Sequence, residues 1–335
     1  MDVVVRPHQA SLVRFAADKP ELLVLSADLT SSCEAQDFRS AYPDRFFSMG
    51  MAEQNMMGFA AGLAREGFVP YIHTFAVFIC RRPFDQVAMS IGYPNLKVRM
   101  LGFLPGIVTP GGVTHQAIDD VALMRVIPNM TVVDLADATD VQTFLPAIHD
   151  VDGPVYVRML RGEVPRIFSP DDPFQVGKVR RLSEGGDLTV ISTGICTEEA
   201  LRAASALKTC GLSVCHLHIT TLKPFNARVV QEAAAGARLG TVTVENHSII
   251  GGLGSATAEA LADAGIPGRL VRLGLQDCYA HGASKNYLME RFGLDARAVV
   301  RAAESLAGES FNIRDELLRA ETRTAVAPQG KVEAL

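Results

Sequence analysis

Short apolar runs alternate with longer stretches of mixed apolar and polar residues along most of the chain. The runs are four to six residues long and many are rich in β-branched residues, as expected of strands that are buried on both faces. We predict strands in two groups: 22–26, 97–101, 131–134 and 155–158, followed by 188–192, 213–218, 241–245 and 270–273.

The longer stretches between these runs have apolar residues at helical spacing. We predict helices at 52–65, 118–127, 197–209, 227–237 and 254–264. An alternation of strands and helices is typical of parallel sheets with helices on both faces. The predicted fold class is therefore α/β, with two doubly wound domains.

A segment rich in proline and charge separates the two groups of strands. Residues 162–173 contain three prolines, and residues 183–187 form a charged turn. Such a composition is typical of a linker between packed units. We predict a first domain at 1–165, a linker at 166–186, a second domain at 187–310 and a tail at 311–335, where the periodicity is lost.

Composition and charge narrow the possible functions. The chain has 335 residues, a formal net charge of −5 and no basic block, so we do not expect nucleic-acid binding. No apolar run is long enough to span a membrane, and the N-terminus lacks the layout of a signal peptide. The six cysteines are scattered without a CxxC pair, so we expect buried, reduced thiols in a cytoplasmic protein.

The segment 45–57, with the sequence RFFSMGMAEQNMM, carries the strongest chemical signal. A turn at Gly50 leads into a predicted helix, and Glu53 lies in the first turn of that helix. A carboxylate there complements the helix dipole, which alone would be a sufficient structural explanation. The small residues that follow and the aromatic residues further along the chain favour a binding site instead.

Two long segments resemble one enzyme family. The sequence GMAEQNMMGFAAGLAREGFVPYIHTFAVFICRRPFDQV resembles the pyrimidine-binding domain of the transketolase family. Residues 188–305, which include GTVTVENHSIIGGLGSATAEAL and GLQDCYAHGAS, resemble the C-terminal domain of that family. The resemblance implies a pyrimidine-binding domain at 1–165 and a transketolase C-terminal domain at 187–310. It also implies transfer of a two-carbon ketol unit between sugar phosphates with thiamine diphosphate as cofactor.

The resemblance implies a chemical role for Glu53. In the family, a glutamate at this position binds a ring nitrogen of the cofactor's aminopyrimidine. Sharing a proton there activates the cofactor, which serves as the electron sink for the transferred group. A carboxyl that shares a proton near neutral pH needs a raised pKa, and we expect burial against apolar walls to supply it.

The other cofactor contacts are also implied by the resemblance. Phe75 and Phe78 match the aromatic residues that pack on the pyrimidine, and Asp28 matches an aspartate near the cofactor. Arg81 stands where many full-length transketolases have a tyrosine, and an arginine can also stack on a ring face. Without the resemblance, the two phenylalanines would be interpreted as core residues and Asp28 as a turn residue.

Four residues are implied to contact the substrate. His115, in the sequence VTHQ, resembles the active-site histidine that handles substrate hydroxyls and protons, a role that suits a group titrating near neutral pH. Arg6, Arg161 and Ser32 match positions that contact the substrate phosphate, for which a planar guanidinium is well suited. Each of these three also fits a solvated surface residue.

Two positions depart from the family pattern on the substrate side. Gly111 stands where full-length transketolases usually have an aspartate that contacts an acceptor hydroxyl, and Phe103 stands in place of a histidine that contacts phosphate. Both changes remove polarity, and Gly111 adds space. We therefore expect a substrate beyond the standard pair of xylulose 5-phosphate and ribose 5-phosphate. A branched ketose phosphate such as apulose 4-phosphate is one candidate.

The Gly-Asp-Gly motif through which the family binds diphosphate and Mg²⁺ does not occur in the sequence. We expect a separate N-terminal transketolase subunit to supply the diphosphate and Mg²⁺ ligands, with no metal ligand on this chain. By family analogy, we expect an α2β2 heterotetramer that is active only when assembled. Part of the apolar region 50–90 would then lie at the interface.

Two alternative functions remain open. One is the beta subunit of a 2-oxoacid dehydrogenase, which the pattern of Arg81, Asp85 and Gln86 favours, whereas VTHQ and ALMRVIPNM favour transketolase. The other is a catalytically retired subunit kept for assembly, against which the intact Glu53 and His115 argue. An unrelated binding module would require an accidental match over most of the chain.

Overall fold

The structure is a computed structural model that describes residues 2–319. It contains a seven-stranded sheet, a five-stranded sheet and a short ribbon of two strands, β1 (Val3–Val5) and β8 (Glu163–Pro165). Helices connect the parallel strands of both large sheets. The predicted α/β class with two doubly wound domains is confirmed.

The seven-stranded sheet is built mainly from the first half of the chain. Its parallel strands are β2 (Leu22–Ser26), β3 (Phe46–Ser48), β4 (Val69–Phe75), β5 (Arg99–Phe103), β6 (Thr131–Asp134) and β7 (Val155–Met159). The second half adds the antiparallel edge strand β12 (Thr221–Lys223) beside β6. The order across the sheet is β12-β6-β7-β5-β4-β2-β3.

The five-stranded sheet belongs to the second half. It contains β9 (Val179–Ser183), β10 (Leu188–Ser192), β11 (Val214–Ile219), β13 (Gly240–Ser248) and β14 (Leu270–Leu275), in the order β14-β13-β10-β11-β9. All neighbours are parallel except β9, which pairs antiparallel with β11.

The helices begin where the sequence provides a turn or a capping side chain. The Asp137 carboxylate, for example, accepts a hydrogen bond from the backbone N–H of Asp140 at 2.8 Å and caps α6. The helices of the first half are α1 (Pro7–Phe15), α2 (Gln36–Ala41), α3 (Glu53–Arg65), α4 (Ala76–Cys80), α5 (Asp120–Val126) and α6 (Ala138–His149). Those of the second half are α7 (Cys196–Thr209), α8 (Ala227–Ala235), α9 (Leu253–Asp263), α10 (Lys285–Arg291), α11 (Ala296–Ala307) and α12 (Asp315–Arg319).

Some predicted elements differ from the observed ones where polar residues or prolines interrupt the pattern. Strand β5 lies two residues later than the predicted run 97–101. Strand β4 was missed, although all its residues are buried, because Pro70 and His73 interrupt its apolar run. Helix α6 was missed as well, and it contains Pro146.

The predicted linker and tail are only partly free of regular structure. The prediction of a linker at 166–186 was wrong for Val179–Ser183, because these residues form β9 of the five-stranded sheet. Within the predicted tail 311–335, α12 contributes Leu318 to the core of the second half. Residues 320–335 of that tail lie outside the described residues. The remaining domain limits stay a prediction.

A buried ion network joins the two halves of the chain. Arg158 on β7 donates hydrogen bonds to Asp120 at 2.8 Å, to Asp134 at 3.0 Å and to the backbone carbonyl of Asn246 on β13 at 2.9 Å. Removing one partner would leave an unpaired charge in the interior, so the network strongly favours one arrangement of the halves. It also fixes the start of α5.

The cysteine thiols and the lengths of the described helices are two further features of the fold. All six cysteines are free; four are buried, whereas Cys210 and Cys278 are exposed, so the expectation of buried thiols was wrong for these two. Within residues 2–319, no helix combines the length and apolarity needed to cross a membrane.

Candidate active site

The predicted site residues cluster at the carboxyl ends of the strands in the seven-stranded sheet. Asp28 follows β2, Phe75 ends β4 and Arg161 follows β7. Open α/β sheets bind ligands at this edge, because the loops there leave a crevice beside the strand ends. Glu53 and His115 reach the same region from α3 and from the loop between β5 and α5.

Glu53 is the first residue of α3, and only 3% of it is exposed. Gly50 makes the turn before the helix with a φ of 68°, a conformation that favours glycine. Met56 and Met57 pack in the core and hold the start of the helix in place. The Glu53 Oε1 atom accepts a hydrogen bond from Arg82 Nη1 at 2.6 Å.

Arg82, rather than Arg81, lies against the predicted aromatic wall. The Arg82 guanidinium carbon is 4.0 Å from the centroid of the Phe78 ring. Arg81 Nε instead donates to the Asp119 carboxylate at 3.0 Å, and its Nη2 donates to the backbone carbonyl of Gln116 at 3.3 Å. Arg81 therefore holds the loop before α5 in this structure, and its contact with the cofactor stays a prediction.

Two phenylalanines and His115 form an aromatic cluster. Phe75 and Phe78 are stacked, with ring centroids 5.9 Å apart and planes inclined by 25°. The His115 ring meets both edge-on, with centroids 5.4 Å from Phe78 and 6.2 Å from Phe75. Phe75 ends β4 and Phe78 lies in the adjoining helix α4, so the local fold itself brings the two rings together.

His115 ends a 3₁₀ turn, Val113–His115, in the loop between β5 and α5. Its Nδ1 atom lies 2.9 Å from Thr114 Oγ1. The Gly111 backbone runs beside the ring, and a Cβ atom at position 111 would lie 3.0 Å from His115 Cγ. A larger residue at position 111 would therefore press on the histidine.

The second half of the chain braces this loop, which the sequence did not reveal. Gln116 is buried, and its Nε2 donates to the backbone carbonyls of His281 at 3.2 Å and Thr109 at 3.4 Å. The Asn246 Oδ1 accepts a hydrogen bond from the backbone N–H of Ile107 at 3.0 Å. The position of His115 thus depends on both halves.

Arg6, Ser32 and Arg161 form a second cluster beside the aromatic rings. The Arg6 backbone N–H donates to the carbonyl of Gly162, and Arg161 Nη1 donates to the carbonyl of Ser32, both at 2.7 Å. Both arginines line a cavity of about 1070 Å³. The Arg161 guanidinium carbon is 5.9 Å from the Phe75 ring centroid, which places this cluster next to the aromatic wall.

A buried carboxylate, Glu34, lines the same cavity and was missed by the sequence analysis. It accepts hydrogen bonds from the backbone N–H groups of Gly162 at 2.7 Å and His8 at 3.2 Å. Burial raises the pKa of Glu34, and these backbone hydrogen bonds and Arg6 oppose that shift. No sequence motif marks this residue, because its role depends on contacts between distant segments.

Two further predicted residues have different surroundings. Asp28 is exposed just after β2 and has a φ of 60°, a conformation that costs energy for a residue other than glycine and is common at functional sites. Phe103 is fully buried, with its ring centroid 5.7 Å from that of His8. The prediction of Phe103 as a substrate contact was therefore wrong, because its side chain points into the core.

The arrangement suits a flat heterocycle. A buried carboxylate beside aromatic rings can accept a hydrogen bond from a ring that stacks on those rings. The aminopyrimidine of thiamine diphosphate has both properties, so the residues present fit that half of the cofactor. Among residues 2–319, no three His, Cys, Asp or Glu side chains are grouped to hold a metal ion. Fold and site together define a two-domain α/β chain of the thiamine-diphosphate-dependent class.

Comparison with known families narrows this class. The family described as "Transketolase, pyrimidine binding domain" matches residues 8–166, and "Transketolase, C-terminal domain" matches residues 177–299. The chain belongs to the transketolase family, and it corresponds to the C-terminal half of a split transketolase.

Similar curated proteins include split subunits. The chain is 42% identical over 298 residues to the 6-deoxy-6-sulfo-D-fructose transketolase subunit SqwH of Clostridium sp. (strain MSTE9), covering 88% of this chain and 91% of the relative. It is 30% identical over 295 residues to one of the subunits of the apulose-4-phosphate transketolase of Phocaeicola vulgatus, covering 88% of this chain and 94% of that relative. It spans about half of 1-deoxy-D-xylulose-5-phosphate synthases such as that of Syntrophotalea carbinolica, 47% of whose length is matched.

Solved structures agree with this assignment. A structure titled "Split gene transketolase, inactive beta4 tetramer" superposes with a TM-score of 0.82 at 41% identity, covering 90% of this chain and 97% of that chain. The transketolase of Leishmania mexicana shares the fold, with a TM-score of 0.74 at 23% identity, covering 92% of this chain and 46% of that chain.

Proposed function

We propose that this chain supplies the pyrimidine side and the substrate side of a split transketolase site that a partner subunit completes. The observation that carries the proposal is the single cluster that joins the buried Glu53, the Phe75–Phe78 pair and His115. When bound, thiamine diphosphate supplies the carbon nucleophile and the electron sink for transfer of the two-carbon ketol unit.

The residues around the cofactor have distinct proposed roles. Glu53 binds the aminopyrimidine and shares a proton with its ring nitrogen. Phe75 and Phe78 pack against the ring and exclude water from it. Asp28 contacts the cofactor from the end of β2. The roles of Glu53, Phe75 and Phe78 rest on burial and on the short distances between side chains, and that of Asp28 rests on its position after β2.

We assign His115 to the substrate. Its Nδ1 atom is engaged with Thr114, so Nε2 is the nitrogen that remains to bind a substrate hydroxyl or to move a proton. Gly111 packs closely on the His115 ring and adds no polar side chain beside it. Because this position lacks the aspartate of full-length transketolases, a branched ketose such as apulose 4-phosphate is one proposed substrate.

The proposed substrate ends in an anionic group that contacts Arg6, Ser32 and Arg161. Guanidinium groups bind phosphate and sulfonate oxygens through charge-assisted hydrogen bonds. Arg6 and Arg161 present two guanidinium groups to this part of the cavity, and the Glu34 carboxylate lies beside them. A sulfonate carries one negative charge, whereas a phosphate monoester carries nearly two at neutral pH. Both 6-deoxy-6-sulfofructose and sugar phosphates are therefore proposed substrates.

The proposed partner is an N-terminal transketolase subunit that carries the diphosphate and Mg²⁺ ligands, in an α2β2 assembly. Large apolar side chains are exposed on and around α3 and the adjoining π-helical segment Gln86–Gly92: Met51 by 79%, Phe59 by 41%, Met89 by 57% and Tyr93 by 80%. Exposed apolar groups of this kind mark protein interfaces. The face lies beside Glu53, so a partner docked there would cover the site.

The alternatives are weaker. The split transketolase relatives favour ketol transfer over a 2-oxoacid dehydrogenase beta subunit. A retired assembly subunit would not need a buried Glu53 placed beside an aromatic wall, since burying a carboxylate costs free energy.

The experiment is a ketol-transfer assay on this chain reconstituted with its partner, thiamine diphosphate and Mg²⁺. The substrate panel contains xylulose 5-phosphate, apulose 4-phosphate and 6-deoxy-6-sulfofructose. We expect activity with at least one donor, and a loss of about a hundredfold or more in kcat/KM for Glu53→Gln. Glu66→Gln, at the exposed end of the same helix, is the matched control and keeps full activity. Retention of most activity by Glu53→Gln would refute the assignment.

A further inference from the structure

The side chain that contacts Glu53 is itself half exposed. The side chain of Arg82 is 47% exposed, compared with 3% for that of Glu53, and the two are 2.6 Å apart. The Arg82 guanidinium carbon also lies 4.0 Å from the Phe78 ring centroid. One arginine therefore bridges the buried carboxylate and the aromatic wall, while about half of its own side chain remains exposed.

A buried carboxylate without a partner is costly, because it loses its hydration and gains nothing in return. Arg82 provides that partner in this structure. Its guanidinium is planar, cationic and rich in N–H groups, so it can stack on Phe78 and donate to Glu53 at the same time.

The aminopyrimidine of the proposed cofactor would use the same two contacts. It would stack on the aromatic wall and place a ring nitrogen against the Glu53 carboxylate. The Arg82 guanidinium and the ring cannot both lie against Phe78 and Glu53 Oε1 at the observed distances. One of them must leave when the other arrives.

We propose that Arg82 is a placeholder for the aminopyrimidine: it pairs with Glu53 in the unloaded chain and swings towards solvent when the cofactor binds in the assembled enzyme. The inference rests on the proposed function of the site. It makes the unloaded chain stable with its glutamate already buried, and it opposes cofactor binding until the partner contributes its own contacts.

The placeholder also bears on the role of Glu53. A Glu53 oxygen that accepts a hydrogen bond from Arg82 at 2.6 Å is not available to a ring nitrogen of the cofactor. Removal of Arg82 from Glu53 is therefore a condition for the proposed role, and the exchange of partners couples cofactor loading to activation.

Thermal unfolding of the isolated chain tests the first half of the proposal. We expect Arg82→Gln to lower the midpoint by several degrees, because Glu53 loses its partner. The double variant with Arg82→Gln and Glu53→Gln should recover most of the lost midpoint temperature, because it has no unpaired buried charge. Arg228→Gln, a surface ion-pair change on α8, is the control and leaves the midpoint nearly unchanged. Additive effects of the two site changes would overturn the placeholder.

Calorimetry of thiamine diphosphate with the assembled complex and Mg²⁺ tests the second half. The placeholder predicts that Arg82→Gln binds the cofactor roughly tenfold more tightly than the unaltered complex. Weaker binding would show that Arg82 holds the cofactor, and unchanged binding would show that it does not compete; either result overturns the proposal. A failure of the unaltered complex to bind would refute the proposed function itself, and the placeholder with it.

Discussion

Glu53, Phe78 and His115 are common residue types, and their chemistry depends on where the fold places them. The resemblance to the transketolase family selected them, the structure places them close together, and their roles remain a proposal. The sequence alone does not show whether Arg81 or Arg82 faces the aromatic rings, because the directions of both side chains depend on where α4 ends, at Cys80. Phe103 was misassigned for a similar reason, since the sequence does not show that His8 of α1 packs on the end of β5.

At this scale, Gly111 gives a direct test of substrate space. We expect Gly111→Ala to reduce kcat about tenfold and Gly111→Asp about a hundredfold, because a Cβ atom 3.0 Å from His115 Cγ displaces the ring. We expect the loss to be larger for apulose 4-phosphate than for xylulose 5-phosphate, since the branch occupies the lost space. Steady-state kinetics of the assembled enzyme measures both ratios.

The alanine variant separates bulk from charge in that experiment. If Gly111→Ala and Gly111→Asp each reduce activity equally for branched and linear substrates, position 111 does not set specificity. The His115 displacement would then be the sole effect of the substitution.

At the scale of elements, buried runs and amphipathic stretches were predictable, and elements with atypical composition were not. The run Leu188–Ser192 matches β10 because every residue in it is buried and apolar or small. Strand β4 is equally buried, but Pro70 and His73 broke its pattern. Strands β9 and β12 pair with distant segments, so no local signal in their short sequences predicts them.

The Glu245 carboxyl, which contacts the start of α9, should make the stability of the chain depend on pH. Glu245 on β13 accepts hydrogen bonds from the backbone N–H groups of Leu253 at 2.6 Å and Gly254 at 2.8 Å. Burial raises the pKa of Glu245 to about 7, above its ordinary value. Its stabilising effect is therefore full below the unfolded pKa near 4.5 and is lost as the pH rises to about 7.

We expect this loss to amount to about 3 kcal/mol in the free energy of unfolding. The measurement is denaturant unfolding of the unaltered chain and Glu245→Gln at several values between pH 5 and 8. As the pH rises, the free energy of unfolding of the unaltered chain should fall relative to that of Glu245→Gln, because glutamine does not titrate. A difference that is constant with pH would contradict a raised pKa for this carboxyl.

At the scale of the whole molecule, the two halves form one functional unit. Strand β12 of the second half completes the sheet of the first half, and Arg158 ties β7 to β13. Gln116 connects the loop of His115 to His281 in the second half. The second half therefore holds the loop that carries His115 in place.

The proposed site is shared between this chain and a partner subunit. Calorimetric titration of thiamine diphosphate with Mg²⁺, on the isolated chain and then on the chain with its partner, tests it most directly. We predict measurable binding only with the partner, because this chain contacts the pyrimidine of the cofactor and the partner supplies the diphosphate and Mg²⁺ ligands. Binding of similar affinity by the isolated chain would contradict the claim, since the diphosphate site would then lie within this chain.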